Sequence, residues 1–280
     1  MNVIYENDSL QEQLLKLPKT KSIGFVPTMG ALHQGHLSLF RKAREENDVL
    51  VVSIFVNPTQ FDKKEDLVNY PQTLKQDLEL LKTVPCDFVF VPSAQEIYND
   101  NITATHFNFD GLEFVMEGEH RDGHFDGVGT IVKRLFEIVK PHSAYFGEKD
   151  FQQLQIIKKL VEKEQMPIQI IGCEIYREKD GLAMSSRNVR LLKKHRQGAP
   201  FIFQTLQKAK EKFKTTTLPK LVKWVEKEFE NNSNLRLEYF EITNEKTLKS
   251  ALRKQKDLKF RAFLAVYAGK IRLIDNIRLN

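Results

Sequence analysis

The sequence predicts an α/β protein, a doubly wound parallel sheet followed by a second, smaller α+β domain. Three observations predict it. Apolar, β-branched runs near 22–27, 49–56 and 87–91 alternate with segments whose leucines fall at helical spacing, which is the rhythm of strands joined by crossover helices. The run at 49–56 is apolar throughout rather than at every second position, as in a parallel strand covered on both faces. From about residue 193 the texture changes to helical periodicity rich in lysine and glutamate, and then to short strands.

Leu10, Leu14 and Leu15 give 8–17 a helical face ahead of the first strand, which runs into Pro27. A helix over 36–46 follows, and the strand from 49 is bounded by Asn57 and Pro58. Residues 73–83 alternate charge and leucine as a helix does, and the strand at 87–91 stops at Pro92. A short strand is expected at 106–109. Residues 117–127 carry so much glycine and charge that a loop is expected there. A helix over 128–139 ends before Pro141; strand 144–146, helix 151–164 and strand 168–176 then complete a sheet of five or six strands. A polar junction at 181–191 leads to helices across 193–231, a strand at 237–242, and strands within 260–277 turned through Ala268, Gly269 and Lys270. The boundary is placed so that the domains are 1–177 and 178–280. No internal repeat or low-complexity tail interrupts them.

A chain of 280 residues, 41% hydrophobic and 29% charged, can bury two cores without staples and has the balance of a soluble globular protein. Forty-three basic against 37 acidic residues leave a net charge of +6, which favours anionic ligands. The lysines are dispersed, however, whereas a nucleic-acid footprint needs them on one face, so no nucleic-acid partner is expected. Cys86 and Cys173 each lie in an apolar run and read as buried free thiols rather than a disulfide framework. The segment 1–17 contains Glu6 and Asp8 and has no continuous apolar core, and no run approaches the roughly 20 apolar residues of a spanning helix. A cytoplasmic protein without a membrane partner is expected.

Ligands of open parallel sheets bind beyond the carboxyl ends of the strands, so segments that follow strands carry the chemistry. After the first strand, His33 and His36 lie one helical turn apart on one face, with Gly35 between them letting a ligand approach the backbone. They sit where a helix N-terminus concentrates unpaired N–H groups and partial positive charge, a setting suited to phosphate. After the second strand comes Gln60, an amide able to orient a small polar substrate without titrating. After a later strand, Gly147 allows close approach, Lys149 can neutralise developing charge, and Asp150 can cap a helix or hold a cation. After the last strand of this half, Ser185, Ser186 and Arg187 offer hydroxyls and a guanidinium fork to an anion. Taken singly each has a structural alternative: surface histidines, a turn-capping glutamine, a snorkelling lysine, an interdomain linker. Their convergence on strand ends is the stronger signal.

A strand followed by H-x-G-H resembles the nucleotide signature of the adenylyl-transferring superfamily that includes class I aminoacyl-tRNA synthetases. The longer strings are P-T-M-G-A-L-H-x-G-H at 27–36, F-V-N-P-x-Q-F at 55–61, E-G-x-x-R-x-G-H-F-x-G-V at 117–128 and F-G-x-K-D-x-Q-Q at 146–153. With the serine–arginine loop at 184–188, in this order, they resemble the pantothenate synthetase (pantoate-β-alanine ligase) family. The resemblance returns in R-L-I-D-N at 272–276 and weakens between about 195 and 260. It implies a Rossmann-like first domain and ATP-dependent condensation of pantoate with β-alanine through a pantoyl adenylate, releasing AMP and diphosphate.

By the same resemblance, Met29, Gly30, Ala31, Leu32, His33, Gln34, Gly35 and His36 contact ATP. So do Gly147, Glu148, Lys149, Asp150, Tyr176, Met184, Ser185, Ser186 and Arg187, the last four in a loop like the synthetases' K-M-S-K-S segment. Gln60, Gln153 and Arg121 fall to pantoate and β-alanine. His36, as proton donor, His33 and Lys149 fall to catalysis, and Asp77 to Mg2+. A homodimer through the first domain is also implied. The chain departs from the family pattern at Gln72 and Gln76, where arginine and an acid are usual, and at Tyr176, where a small apolar residue is usual. Two rival readings share parts of the evidence. Another carboxylate-activating adenylate-forming ligase or nucleotidyltransferase would keep His33 and His36 without needing Gln60 and Gln153. An RNA-binding module built on a synthetase core would show salt-dependent RNA affinity and little ATP turnover.

Overall fold

A computed structural model describes residues 1–62, 64–99 and 101–280. In chain order its first part runs β1 (Asn2–Ile4), α1 (Asn7–Leu15), β2 (Ile23–Thr28), α2 (Gln34–Glu46), β3 (Val49–Ile54), α3 (Lys64–Val68), α4 (Leu74–Leu81), β4 (Phe88–Phe90) and α5 (Ala94–Tyr98). It continues through α6 (Glu117–His120), α7 (His124–Val139), β5 (Ser143–Gly147), α8 (Phe151–Lys163) and β6 (Gln169–Cys173). Six parallel strands form one sheet in the order β1-β4-β3-β2-β5-β6. The chain winds from β2 toward β3 and β4 on one side, then returns to place β5 and β6 on the other. The reversal puts the topological switch point between β2 and β5, where an open α/β sheet leaves a crevice.

The apolar runs become the sheet because they are buried on both faces: every residue of β3 is buried, and Val26, Leu50, Val52 and Val89 join Phe40 of α2 and Leu81 of α4 in one core. Each such large side chain contributes about 1.5–3 kcal/mol on burial. At the α2–β3 corner Asp48 accepts hydrogen bonds from the Ser22 backbone N–H, the Ser22 hydroxyl and Lys21, each at 2.9 Å. These bonds sit beside the register in which Ile23 pairs with Val49. The Ser22 amide, followed by Lys21 and the Ser22 hydroxyl, holds the Asp48 carboxyl down to about 2.

The second part comprises α9 (Lys193–Gly198), α10 (Phe201–Phe213), α11 (Leu218–Glu230), β7 (Arg236–Asn244), β8 (Phe260–Ala268) and β9 (Ile271–Arg278). The three strands form an antiparallel sheet, and the expected turn lies between Ala268 and Ile271 with Gly269 at φ +63°. Leu206, Leu221, Val225, Leu264 and Val266 lie in its separate core.

Two local expectations are corrected, and one strand is added. Residues 106–109 form no strand, because their amides bond side chains instead of a sheet neighbour: Phe107 N–H to Asp126 at 3.0 Å and Phe109 N–H to Glu113 at 3.1 Å. The stretch 117–127 is no plain loop; it contains α6 and the first turn of α7. Gly127 lies inside α7 because a Cβ there would stand 2.2 Å from the Thr59 carbonyl oxygen, so the helix is pressed onto the segment carrying Gln60. A three-residue strand, β1, was too short to stand out as a hydrophobic pattern.

The chain divides into two compact units, Met1–Glu148 with Gln152–Glu174, and Lys149–Phe151 with Ile175–Asn280. A single cut at 177/178 differs in two places: it would leave both Lys149–Phe151 and Ile175–Arg177 with the first unit. Asn276 of β9 donates to the Lys149 carbonyl at 2.9 Å, and the Phe151 ring packs 5.9 Å from that of Phe263 with the Arg261 guanidinium 3.8 Å from its centre. Among the described residues no helix is long and apolar enough to cross a membrane.

Candidate active site

Beyond Thr28 the chain leaves β2 in a tight loop. Gly30 (φ +82°) and Ala31 (φ +49°) both take left-handed conformations, which costs about 1–2 kcal/mol for a non-glycine residue such as Ala31. Thr28 Oγ1 donates to the Ser53 carbonyl at 2.8 Å and accepts the Gly30 N–H at 3.2 Å. The buried carboxylate of Asp77, brought by α4, accepts the Ala31 N–H at 3.1 Å, the Leu32 N–H at 2.8 Å and the Thr73 hydroxyl at 3.1 Å.

His33 is the N-cap of α2, and its backbone N–H donates to His36 Nδ1 at 3.2 Å. That bond leaves the proton of the neutral His36 ring on Nε2. The two rings stack at 4.0 Å between centroids and 29° between planes, so the spacing read from sequence does gather the imidazoles at the head of the helix. Gly35 is buried between them, and Gln34 is exposed.

Beyond β3, Gln60 sits in a short helical turn and is largely buried. Its Nε2 points at Met29 Sδ, 3.1 Å away, and its Oε1 accepts Asn57 Nδ2 at 3.0 Å, so the predicted amide stands beside the nucleotide-like loop. The Gln60 carbonyl accepts His124 Nδ1 at 2.8 Å and Arg121 Nη2 at 3.3 Å, while Arg121 Nη1 lies 3.1 Å from His124 Nε2. With Nδ1 donating, Nε2 is the acceptor for Arg121, and the pair grips the backbone that presents Gln60. Asn57 and His124 were not singled out as functional from sequence; their signal was membership of two motifs whose meeting in space the chain order does not reveal.

On α8 two neighbouring glutamines separate. Gln152 is buried and ties down 112–117 through the Leu112 and Val115 carbonyls at 2.8 and 2.7 Å and the Glu117 N–H at 3.0 Å, whereas Gln153 is half-buried. Gly147, which ends β5 beside the switch point, and Glu148, which follows it, are half-buried as well.

In the second unit, Lys149, Ser185, Arg187, Asn188, Arg272 and Asp275 line one recess. Lys149 stands 3.5 Å from Asp150 and Arg272 Nε donates to Glu238 at 2.7 Å, so the basic groups of the recess are held by acidic neighbours. Asp275 is paired with both terminal nitrogens of Arg177, at 2.7 and 2.9 Å. Complete burial pushes its carboxyl up, against the opposing pull of Arg177, the Asn276 amide and Lys149. Asn188 holds the 178–188 loop through Glu178 at 2.7 Å and the Ala183 carbonyl at 3.1 Å, and its own Oδ1 is buried with no hydrogen-bond partner among the described residues. Met184 N–H bonds the Tyr176 carbonyl at 3.0 Å; Tyr176 and Asp150 are exposed, and Ser186 is half-buried.

Among the described residues no group of three His, Cys, Asp or Glu could hold a metal, so the side chains build no all-protein cage; magnesium bound through one or two carboxylates, waters and phosphates needs none. The oxygens of Asp77 already accept three bonds from the chain.

The family model described as pantoate-beta-alanine ligase matches residues 2–278. The chain belongs to this family. It is 54% identical to the pantothenate synthetase of Christiangramia forsetii, over 100% of each chain. Among solved structures, a pantothenate synthetase of Thermus thermophilus is similar at 36% identity and TM-score 0.92, over 100% of this chain and 99% of that one. The pantoate-beta-alanine ligase of Francisella tularensis, solved with β,γ-ATP and β-alanine, is similar at 38% identity and TM-score 0.83, over 100% and 98%. The six-stranded parallel sheet with a smaller antiparallel sheet is the pantoate-beta-alanine ligase fold, and the resemblance read from the motifs is borne out over the whole chain.

Proposed function

We propose that this protein is a carbon–nitrogen ligase that uses ATP to join pantoate to β-alanine by way of a pantoyl adenylate, releasing AMP and diphosphate. The observation that carries this reading is the stacked His33–His36 pair at the head of the helix that leaves the sheet's switch point, with the Gln60 amide beside the same loop.

A carboxylate is a poor electrophile because its leaving group would be oxide. Adenylation replaces that with AMP: a pantoate oxygen attacks the α-phosphorus in line, and diphosphate departs. Such transfer needs positioning and charge neutralisation rather than a covalent enzyme intermediate. His36 Nε2–H and the first N–H groups of α2 can donate to phosphate oxygens, Lys149 and Arg187 can neutralise the diphosphate, Ser185 and Ser186 can donate hydrogen bonds to it, and Gln60 and Gln153 can orient pantoate. The β-alanine amine then attacks the activated carbonyl, the amide forms, and AMP leaves. Magnesium is expected to enter with the nucleotide. Arg121 supports the substrate side through the Gln60 carbonyl. The family resemblance supports a homodimer in the cytoplasm; light scattering is expected to give twice the 32.6 kDa of one chain, and a mass of 32.6 kDa would remove the dimer.

The test is AMP release from ATP and Mg2+ with no acid, with pantoate alone, and with pantoate plus β-alanine. Sustained release only with both substrates is the expected result. No response to the pair, with ATP binding intact, would leave a nucleotide site and remove the substrate assignment.

A further inference from the structure

Two of the amides in the loop between β2 and α2 end on a single carboxylate. Asp77 is 2% exposed; one of its oxygens takes the Leu32 N–H and the Thr73 hydroxyl, and the other takes the Ala31 N–H. We propose that Asp77 is a positioning residue of the ligase reaction, clamping the Ala31 and Leu32 amides and thereby fixing the His33–His36 pair, and that it is not a magnesium ligand. The inference rests on the ligase reading of the site.

Three features carry it. Gly30 and Ala31 hold left-handed conformations, and an alanine keeps such a conformation only where its surroundings over-determine it. Asp77 supplies that constraint at Ala31 itself and at the next residue, and a Cβ on Gly30 would stand 3.1 Å from its Oδ2, so loop and carboxylate are fitted to each other. The clamp also leads to the catalytic pair: Leu32 is followed by His33, whose N–H sets the His36 ring through Nδ1 at 3.2 Å. Finally, the flanking Gln72 and Gln76 are neutral amides that add no carboxylate oxygen to a cation site. A loop displaced by about an ångström at the head of α2 would carry the His36 Nε2–H away from its phosphate oxygen, a misplacement that costs on the order of 100-fold in rate.

Asp77→Asn is the decisive variant. It keeps the size and one acceptor, but turns an amide N–H toward one of the two backbone N–H groups. Thr73→Val, which leaves Asp77 in place, is the milder control. The first readout needs no substrate: amide hydrogen exchange of the peptide spanning 29–33, expected to quicken by about tenfold or more in Asp77→Asn while β3 and β5 peptides keep their protection. The second is steady-state turnover with ATP, pantoate and β-alanine across a magnesium titration. The expectation is a kcat lower by about 10- to 100-fold with an unchanged half-saturating magnesium concentration. Unchanged exchange at 29–33, or a rate restored to that of the wild-type protein by raising magnesium alone, would overturn the proposal. Failure of the wild-type protein to turn over the substrate pair would count against the ligase reading, and the exchange experiment would still decide the clamp.

Discussion

His36 and Lys149 carry the strongest expectations among single residues, because each offers a charge or a donor where negative charge grows. Losing one preorganised donor of this kind costs about 100- to 1,000-fold in rate, or ~2.7–4 kcal/mol. His36→Ala and Lys149→Ala should each lose at least that much kcat while keeping the circular dichroism and thermal midpoint of the wild-type protein; near-normal turnover of either variant would remove its assigned role. These residues were legible in sequence because each lies in a long motif placed after a strand. The residues that hold them were less so. Nothing in the order of residues says that Asp77 bonds amides 45 and 46 positions earlier, or that His124 reaches the Gln60 carbonyl 64 positions away. A motif shows which side chains matter, whereas the partners that aim them are set by tertiary packing.

Elements were legible where periodicity ran for five or more residues, as in β3 and α11, and were misread where backbone polarity was satisfied by side chains or where glycine served packing rather than turning. Gly127 is the instructive case. Gly127→Ala would force its Cβ against the Thr59 backbone, and overpacking of this type costs about 1–3 kcal/mol. The expected outcome is a lower thermal midpoint together with a raised KM for pantoate, since the displaced segment carries Gln60; an unshifted midpoint would show that α7 is free to move. At the α2–β3 corner the Asp48 carboxyl is lowered from 3.8 to about 2, so its bonds stabilise the fold fully above the unfolded value and are lost as pH falls through about 2. Asp48→Asn should therefore melt earlier than the wild-type protein at pH 7, and the difference should close as pH is taken from about 4 to about 2. A difference independent of pH would assign the effect to packing.

For the whole molecule, the sequence's two-part texture corresponds to separate packing, with one buried cluster against the parallel sheet and another against the antiparallel sheet. The reading of Cys86 and Cys173 as buried free thiols holds: burial pushes Cys86 up to about 12 and Cys173 up to about 11. Since the thiolate is the reactive form, both should ignore a disulfide reagent at pH 8 in the native state and react fully in guanidinium. Fast labelling of the native protein would mean that the core opens locally.

The grouping of Lys149–Phe151 with Ile175–Asn280 reaches beyond geometry into how the gene can be divided. A coding sequence cut at codon 175 encodes a C-terminal polypeptide that lacks these three residues. In that polypeptide Phe263 and Arg261 have no ring from Phe151 to pack against, Asn276 has no Lys149 carbonyl to bond, and the recess has lost its lysine. Two halves co-expressed from such a cut would have to reassemble before the lysine returned, whereas a cut in the segment 231–235, between α11 and β7, leaves the codons for Lys149 and for the Ser185–Arg187 loop on one message.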